Sequence, residues 1–282
     1  MKVVLLVFSI LMMVSCGNDK HVLTIKGSDT EVNLSVLLVE AFYKQNNKMN
    51  LSVSGGGTGL GMASLLNGFA DIANASRPIN AYEAKLFADE GKDIVPVVFA
   101  QDALVIITNK AIDADSLSAE QLSGILSGGL VNWAELGLLA VPITLYGRQN
   151  NSGTHGFLKD KLGIEFTLNA REMSGNAQII EAVKADPGGV GYVGAGYVIR
   201  NGEKIGEGYN IVSIYEIGQP AYSPLDYEAV VSKRYYLQRP LYQYVLKSSM
   251  AKAQPLLDFE KSPGGQKIIV ENGYFPAENF SQ

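Results

Sequence analysis

The residues most able to do chemistry in this 282-residue chain are Gly147-Arg148-Gln149-Asn150-Asn151-Ser152-Gly153-Thr154. They put an arginine just ahead of a Ser-Gly-Thr triplet, at the expected start of a helix over 152–162. Ser152 or Thr154 can cap that helix, and its first-turn N–H groups have no intrahelical partner. Such an end seats an anion, and Arg148 adds a permanently charged fork matched to a tetrahedral oxyanion. Hydroxyls, amides and guanidinium are all donors, so the chemistry is capture of an anion rather than reaction with it.

Three more turns are of the same kind: Gly27-Ser28-Asp29-Thr30, Ser54-Gly55-Gly56-Gly57-Thr58-Gly59 and Ala75-Ser76-Arg77-Pro78. Each follows a strand-like run, and open α/β sheets bind ligands beyond the carboxyl ends of their strands. Each also has a plainer reading. Ser28 or Thr30 can serve only as a helix cap, the glycines only as a tight turn needing positive φ, and Arg77 only as a surface or interlobe ion-pair partner. Their accumulation in one chain favours the site.

Other chemistries fit poorly. The chain has two histidines; His21 lies near the amino terminus, and His155 follows Ser152 on the same helix without a G-x-S-x-G elbow, so a hydrolytic triad is not expected. The glycines lack a P-loop lysine and the G-x-G-x-x-G spacing. Acids are scattered, His and Cys do not cluster, and neither metal nor cofactor is expected. A net charge of -5 argues against nucleic acid, whose phosphates need Lys and Arg. An acidic chain that binds an anion must focus positive potential locally.

The elements that position these turns alternate. A strand over 22–28 leads to a helix over 31–45 carrying Leu34, Leu37, Leu38, Ala41 and Phe42 at helical spacing. Strand and helix recur over 51–54 and 59–67, then over 70–75 and 81–90. Apolar runs over 94–100 and 103–108 are separated only by Gln101-Asp102. Beyond them come a helix over 118–126, a strand over 141–146, the helix over 152–162, a helix over 177–185 and strands over 188–193, 211–215 and 241–245. A helical finish over 255–273 is interrupted at Ser262-Pro263-Gly264-Gly265. Such alternation predicts an α/β fold of two lobes with sheets of parallel type. The chain is expected to cross near Gln101-Asp102 and return between Val212 and Tyr227. That assigns 22–101 with 214–282 to lobe one and 102–213 to lobe two, with enough chain for a core in each.

Residues 1–16 read as a targeting signal: Lys2, an apolar run over 3–14, then Ser15-Cys16. The run is too short to span a bilayer. It resembles a bacterial lipoprotein signal, with Met13 where leucine is usual, so Cys16 is the expected lipidation site and 17–21 a polar tether. Cys16 is the only cysteine, which excludes an intramolecular disulfide.

Taken together, Gly27-Ser28-Asp29-Thr30, Gly55-Gly56-Gly57-Thr58-Gly59, Ala70-Asp71-Ile72 with Ala75-Ser76-Arg77-Pro78, Gly147-Arg148 with Ser152-Gly153-Thr154, Gly191-Tyr192-Val193, Arg239-Pro240-Leu241-Tyr242 and Gly273-Tyr274 give the chain a family likeness. It resembles the periplasmic phosphate-binding proteins of ABC transporters, of the PstS type, over essentially the whole length after the signal. The resemblance implies a type II periplasmic-binding-protein-like fold with its ligand cleft between the lobes. It also implies a binding protein rather than an enzyme, closing on one inorganic phosphate and delivering it to permease subunits. Such a protein would be a monomer without cofactor, held at the periplasm or cell surface by a lipid on Cys16 in a bacterial membrane. Carried over residue by residue, Thr30, the Glu31 amide, Thr58, Ser76, Arg148, Ser152, the Gly153 amide and Thr154 would contact phosphate, with Ser28 a further candidate from its turn.

Two departures accompany the likeness. Longer members have an aspartate at Ser76, whose carboxylate accepts the proton of hydrogen phosphate and excludes fully ionised sulfate. Asp102 is the candidate replacement and Asp71 a second; the alternative is that Asp102 merely fastens the hinge. Asn150 stands where many relatives have an acid that pairs with the arginine, so another carboxylate would have to steady Arg148. Sulfate or molybdate binding, and phosphate sensing without transport, are the competing readings.

Overall fold

A computed structural model describes residues 22–46 and 49–277. Cys16, the expected signal and the expected tether lie outside the described residues. In chain order the first part comprises β1 (Val22–Gly27), α1 (Asp29–Gln45), β2 (Asn50–Ser54), α2 (Thr58–Leu66), β3 (Ile72–Ala75), α3 (Ala81–Asp89) and β4 (Ile94–Ala103). There follow β5 (Val105–Asn109), β6 (Ser116–Ser118), α4 (Ala119–Ser127), β7 (Thr144–Arg148), α5 (Gly153–Leu162), β8 (Arg171–Met173), α6 (Asn176–Ala185), β9 (Gly189–Val193), the short pair β10 (Ile199–Arg200) and β11 (Glu203–Lys204), and β12 (Tyr209–Tyr215). The last part holds α7 (Tyr227–Val231), β13 (Gln238–Leu246), α8 (Met250–Lys261), α9 (Pro263–Glu271) and β14 (Phe275–Pro276).

Two six-stranded mixed sheets result, ordered β14-β4-β13-β3-β1-β2 and β6-β12-β5-β9-β7-β8. In the first, β1 pairs in parallel with β2 and β3, while β13 runs antiparallel to β3 and β4. In the second, β7 is parallel to β8 and β9, and β5 is antiparallel to β9 and β12. The parallel strands therefore end together, and the donor-rich turns at 27–30, 54–59 and 148–154 leave from those ends.

The α1 helix shows why the pattern is legible. Leu34, Leu38 and Phe42 recur at helical spacing and are buried in the first core, each worth about 1.5–3 kcal/mol over exposure. All five residues of β5 are buried, as a strand covered on both faces must be. The break expected at 262–265 is a helix restart: Ser262 accepts from the Gly265 N–H at 3.2 Å, and Pro263 takes the first helical turn, where its missing N–H costs nothing.

The strands β4 and β5 are separated only by Leu104, so the first passage between sheets follows Ala103; Gln101 and Asp102, expected at the crossing, lie inside β4 and pair with β13. The second passage comes later than the expected window between Val212 and Tyr227. Ile214 and Tyr215 still pair with β6, and Ile214 bridges Tyr222. Val230, Tyr235 and Leu237 sit in the second sheet's apolar core with Tyr222 and Leu225 packed on it, and the chain joins the first sheet only at Gln238. The stretch 216–237 carries no strand period; its one regular element is the short helix α7, capped by Asp226, and its apolar residues pack on the second core. The two passages are tied together: the Leu104 N–H donates to the Leu237 carbonyl at 3.1 Å, and the Tyr235 hydroxyl to the Leu104 carbonyl at 2.7 Å.

Candidate functional site

The carboxyl ends of the parallel strands face one another, and the four donor-rich turns meet there. Ser152 caps α5, its hydroxyl accepting from the Thr154 N–H at 3.2 Å. The Thr154 and Thr30 hydroxyls, from opposite sides of the cleft, are 3.1 Å apart. Thr58 accepts from the Ser76 N–H at 3.2 Å, which ties two of the turns together. Gly153 lies so close to both that a Cβ there would stand 2.2 Å from Thr58 Oγ1 and 2.5 Å from Ser76 Oγ, so only glycine fits. Gly27 is equally constrained: its φ is +139° and a Cβ would meet the Asn74 carbonyl oxygen at 2.2 Å.

Arg148 ends β7 buried, its backbone N–H donating to the Tyr192 hydroxyl at 2.8 Å. Its Nη1 reaches Asp29 Oδ2 at 3.1 Å and its Nη2 the Ser174 carbonyl at 2.9 Å. Asp29 is thus the carboxylate that steadies the guanidinium in place of an acid at position 150. It belongs to the other sheet's helix α1, and the same oxygen accepts from the Asn176 backbone N–H at 2.9 Å. Burial lowers the Arg148 pKa and Asp29 opposes the fall. Two buried polar atoms of these turns have no partner among the described residues, Arg148 Nε and Ser76 Oγ.

The remaining candidates are placed as follows. Ser28 makes no capping bond with its side chain; its N–H donates to the Asn74 carbonyl at 2.9 Å. The Glu31 N–H is turned to the Ser28 carbonyl at 3.2 Å. Its carboxyl is fully buried with neither oxygen hydrogen-bonded, and burial pushes its pKa far up, against the opposing charge of Arg239 and the nearby Ser28 hydroxyl. Deeper on the same side of the sheet, Glu260 takes a hydrogen bond from Gln243 at 3.1 Å and is pushed up to about 8, again by burial first. Asp71 is away from the cleft, bound to Lys252 at 2.8 Å. Arg77 is in a bidentate pair with Glu83 at 2.7 and 2.8 Å. His155 stacks on Phe166 with ring centres 4.2 Å apart. Among the described residues no group of three or more His, Cys, Asp or Glu is placed to hold a metal ion.

Asp102 is fully buried, but both its oxygens are engaged. Oδ1 accepts from the Ala195 N–H at 2.9 Å, and Oδ2 from Arg239 Nε and Nη2 at 2.9 and 2.8 Å. These three hydrogen bonds join it to the neighbouring strand and to the Ala195 backbone, the geometry of a hinge fastener. Arg239, which the sequence reading did not select, lies at the centre of the site. Its Nη2 is 3.1 Å from Thr154 Oγ1 and 3.3 Å from Thr30 Oγ1, and its Nη1 donates to the Ser76 carbonyl at 3.2 Å. Its signal in the sequence was the motif Arg239-Pro240-Leu241-Tyr242; its partner, 137 positions away, is fixed only by the pairing of β13 with β4.

A family model described as a PBP superfamily domain matches residues 16–260. The chain belongs to the PBP superfamily. It is 28% identical to the phosphate-binding protein PstS of Borreliella burgdorferi, over 97% of this chain and 98% of that protein. Its fold matches that of a Clostridium perfringens protein assigned as a phosphate ABC transporter substrate-binding protein and solved with bound phosphate. The TM-score is 0.80 at 23% identity, covering 91% of this chain and all of that one (100%). An ABC-type phosphate transport receptor from Vibrio cholerae matches with a TM-score of 0.71 at 24% identity, over 90% of this chain and 100% of that one. The superfamily's two-lobed architecture is thus the one described above, with the candidate site in the cleft between the lobes.

Proposed function

We propose that this chain is an extracytoplasmic solute-binding protein, not an enzyme, that captures inorganic phosphate by closing its lobes and delivers it to the permease of an ABC transporter. One observation carries the reading. Hydroxyls of Thr30, Thr58 and Ser76 from one lobe face the capped helix start Ser152-Gly153-Thr154 and Arg148 from the other, so a tetrahedral anion would be gripped from both sides. Ser76 Oγ and Arg148 Nε, buried without partners among the described residues, are groups such a ligand would satisfy. A ligand that bridges both lobes favours the closed state by its differential affinity. The names of the relatives agree with phosphate as that ligand.

The lobes in this reading are 22–103 with 238–277 and 105–237, hinged where Leu104 meets Leu237. Cys16, where the family match begins, carries the lipid after cleavage of 1–15, and the protein works as a monomer beside its permease. No helix among the described residues is long and apolar enough to cross a membrane. Mass spectrometry of the processed protein tests this: a diacylglyceryl mass on Cys16 is expected, and an unmodified Cys16 would sink the anchor.

A second reading, a broader oxyanion-binding protein, draws on the engagement of Asp102 by Arg239 and Ala195, which leaves the ligand's proton without that carboxylate. Thermal unfolding of anion-stripped protein with phosphate, sulfate or molybdate separates the two. Ligand at a hundredfold excess over Kd stabilises the folded state by about 2.7 kcal/mol. A shift with phosphate alone is expected; equal shifts with sulfate favour the second reading, and no shift with any anion rejects both.

A further inference from the structure

We infer that Arg239 is a second guanidinium of the anion site, and that it ties capture to closure because its Nη2 is shared by hydroxyls of both lobes. This rests on the anion-binding reading above. Arg239 is 1% exposed, and Asp102 holds it through Nε and Nη2. One Nη2 hydrogen is spent on Asp102. The other is split between Thr154 Oγ1 at 3.1 Å and Thr30 Oγ1 at 3.3 Å, two long contacts in place of one good one. Those hydroxyls accept from Arg239 and lie 3.1 Å apart, so one of their two hydrogens bridges the pair and the other is free to point at a ligand. An anion oxygen arriving at Thr30 and Thr154 therefore meets one polarised hydroxyl donor, and a second if it replaces the bond between them, with a cation directly behind.

The placement also reports closure. Thr30 opens α1 in the first lobe and Thr154 lies in the first turn of α5 in the second, while Arg239 and Asp102 are register partners on the hinge strands β13 and β4. The guanidinium lies over the Phe157 ring of the second lobe, 5.3 Å from its centre. Moving α5 away with its lobe removes both the Thr154 and the Phe157 contacts. The Asp102 pair stays, because both partners are on adjacent strands. Arg239 is thereby held ready in the open protein and completed only in the closed one.

The test is calorimetric titration of inorganic phosphate into the full chain, with Arg239→Gln, Arg239→Lys and the double variant Asp102→Asn/Arg239→Gln. The double variant removes both charges of the buried pair, so it folds even if Arg239→Gln alone, leaving Asp102 unpaired, does not. The expected result is a tenfold or greater loss of phosphate affinity in the double variant and partial recovery in Arg239→Lys. A purely structural hinge role would weaken binding equally at pH 6 and pH 8. A cation facing the anion instead makes wild type gain more than the double variant as phosphate becomes dianionic. Wild-type affinity in the folded double variant, or an unchanged pH 8 to pH 6 ratio, would overturn the inference. Failure of wild type itself to bind phosphate would instead reject the proposed function on which the inference rests.

Discussion

Arg148 and Arg239 are nearly equally buried, 3% and 1% exposed, and each is paired with an aspartate, yet the two pairs are built differently. Arg239 finds Asp102 on the neighbouring strand, in register, inside one lobe. Arg148 finds Asp29 across the cleft, on the other lobe, where the carboxylate is still 22% exposed. The first pair survives any hinge motion; the second exists only while the lobes touch. One is part of the frame and the other is a latch, and equal burial hides that distinction.

The largest test of this contrast is stability. Asp102→Ala leaves a buried guanidinium unpaired and is expected to cost about 3–5 kcal/mol in urea unfolding. Asp29→Ala, at a partly exposed interface, should cost far less; equal losses would mean that both pairs belong to the frame. Next comes binding. Arg148→Ala should lose about 1.5–3 kcal/mol of phosphate affinity, ten- to over a hundredfold by calorimetry, with little change in unfolding without phosphate.

These residues also show what could be read from the chain. The turns at 27–30, 54–59, 75–78 and 148–154 were legible because Ser, Thr, Gly and Arg after strand-like runs have few other uses together, and the structure brings them to one place. The need of Arg148 for a substitute carboxylate was legible from Asn150, but not that Asp29 supplies it, since a contact across a cleft leaves no trace in local spacing. The environment of Asp102 depends on a strand pairing made far along the chain, so its engagement by Arg239 was hidden. The helices and longer strands up to β12 followed their periodicity, while the short strands β6, β8, β10 and β11 carried no period to read. Nor did the stretch 216–237, because irregular segments are placed by whatever apolar surface they cover.

A smaller effect sharpens the latch further. Gly153→Ala puts a methyl against Thr58 Oγ1 and Ser76 Oγ at 2.2 and 2.5 Å, an overpacking worth about 1–3 kcal/mol that acts only when the lobes meet. Phosphate affinity should fall while the unfolding midpoint without phosphate hardly moves; a large fall in that midpoint would show that closure is not a separate step. The mildest is Asp29→Asn, which keeps an acceptor for Arg148 but removes the charge. A loss of about 1 kcal/mol in phosphate affinity is expected, read by calorimetry, and no loss would mean that the latch works through shape and not charge.

The buried carboxyl behind β13 has its own consequence, in proton linkage. Glu260 holds its proton up to about pH 8, whereas in the unfolded chain it would release it near the ordinary range of a glutamate. Across that window the folded protein binds a proton that the unfolded chain does not, so unfolding discharges acid and stability falls as pH rises, by at most about 1.4 kcal/mol per pH unit. Glu31, shifted the same way by burial, works in the same direction. These two buried carboxyls therefore make their lobe less stable as the pH rises, before any ligand is considered.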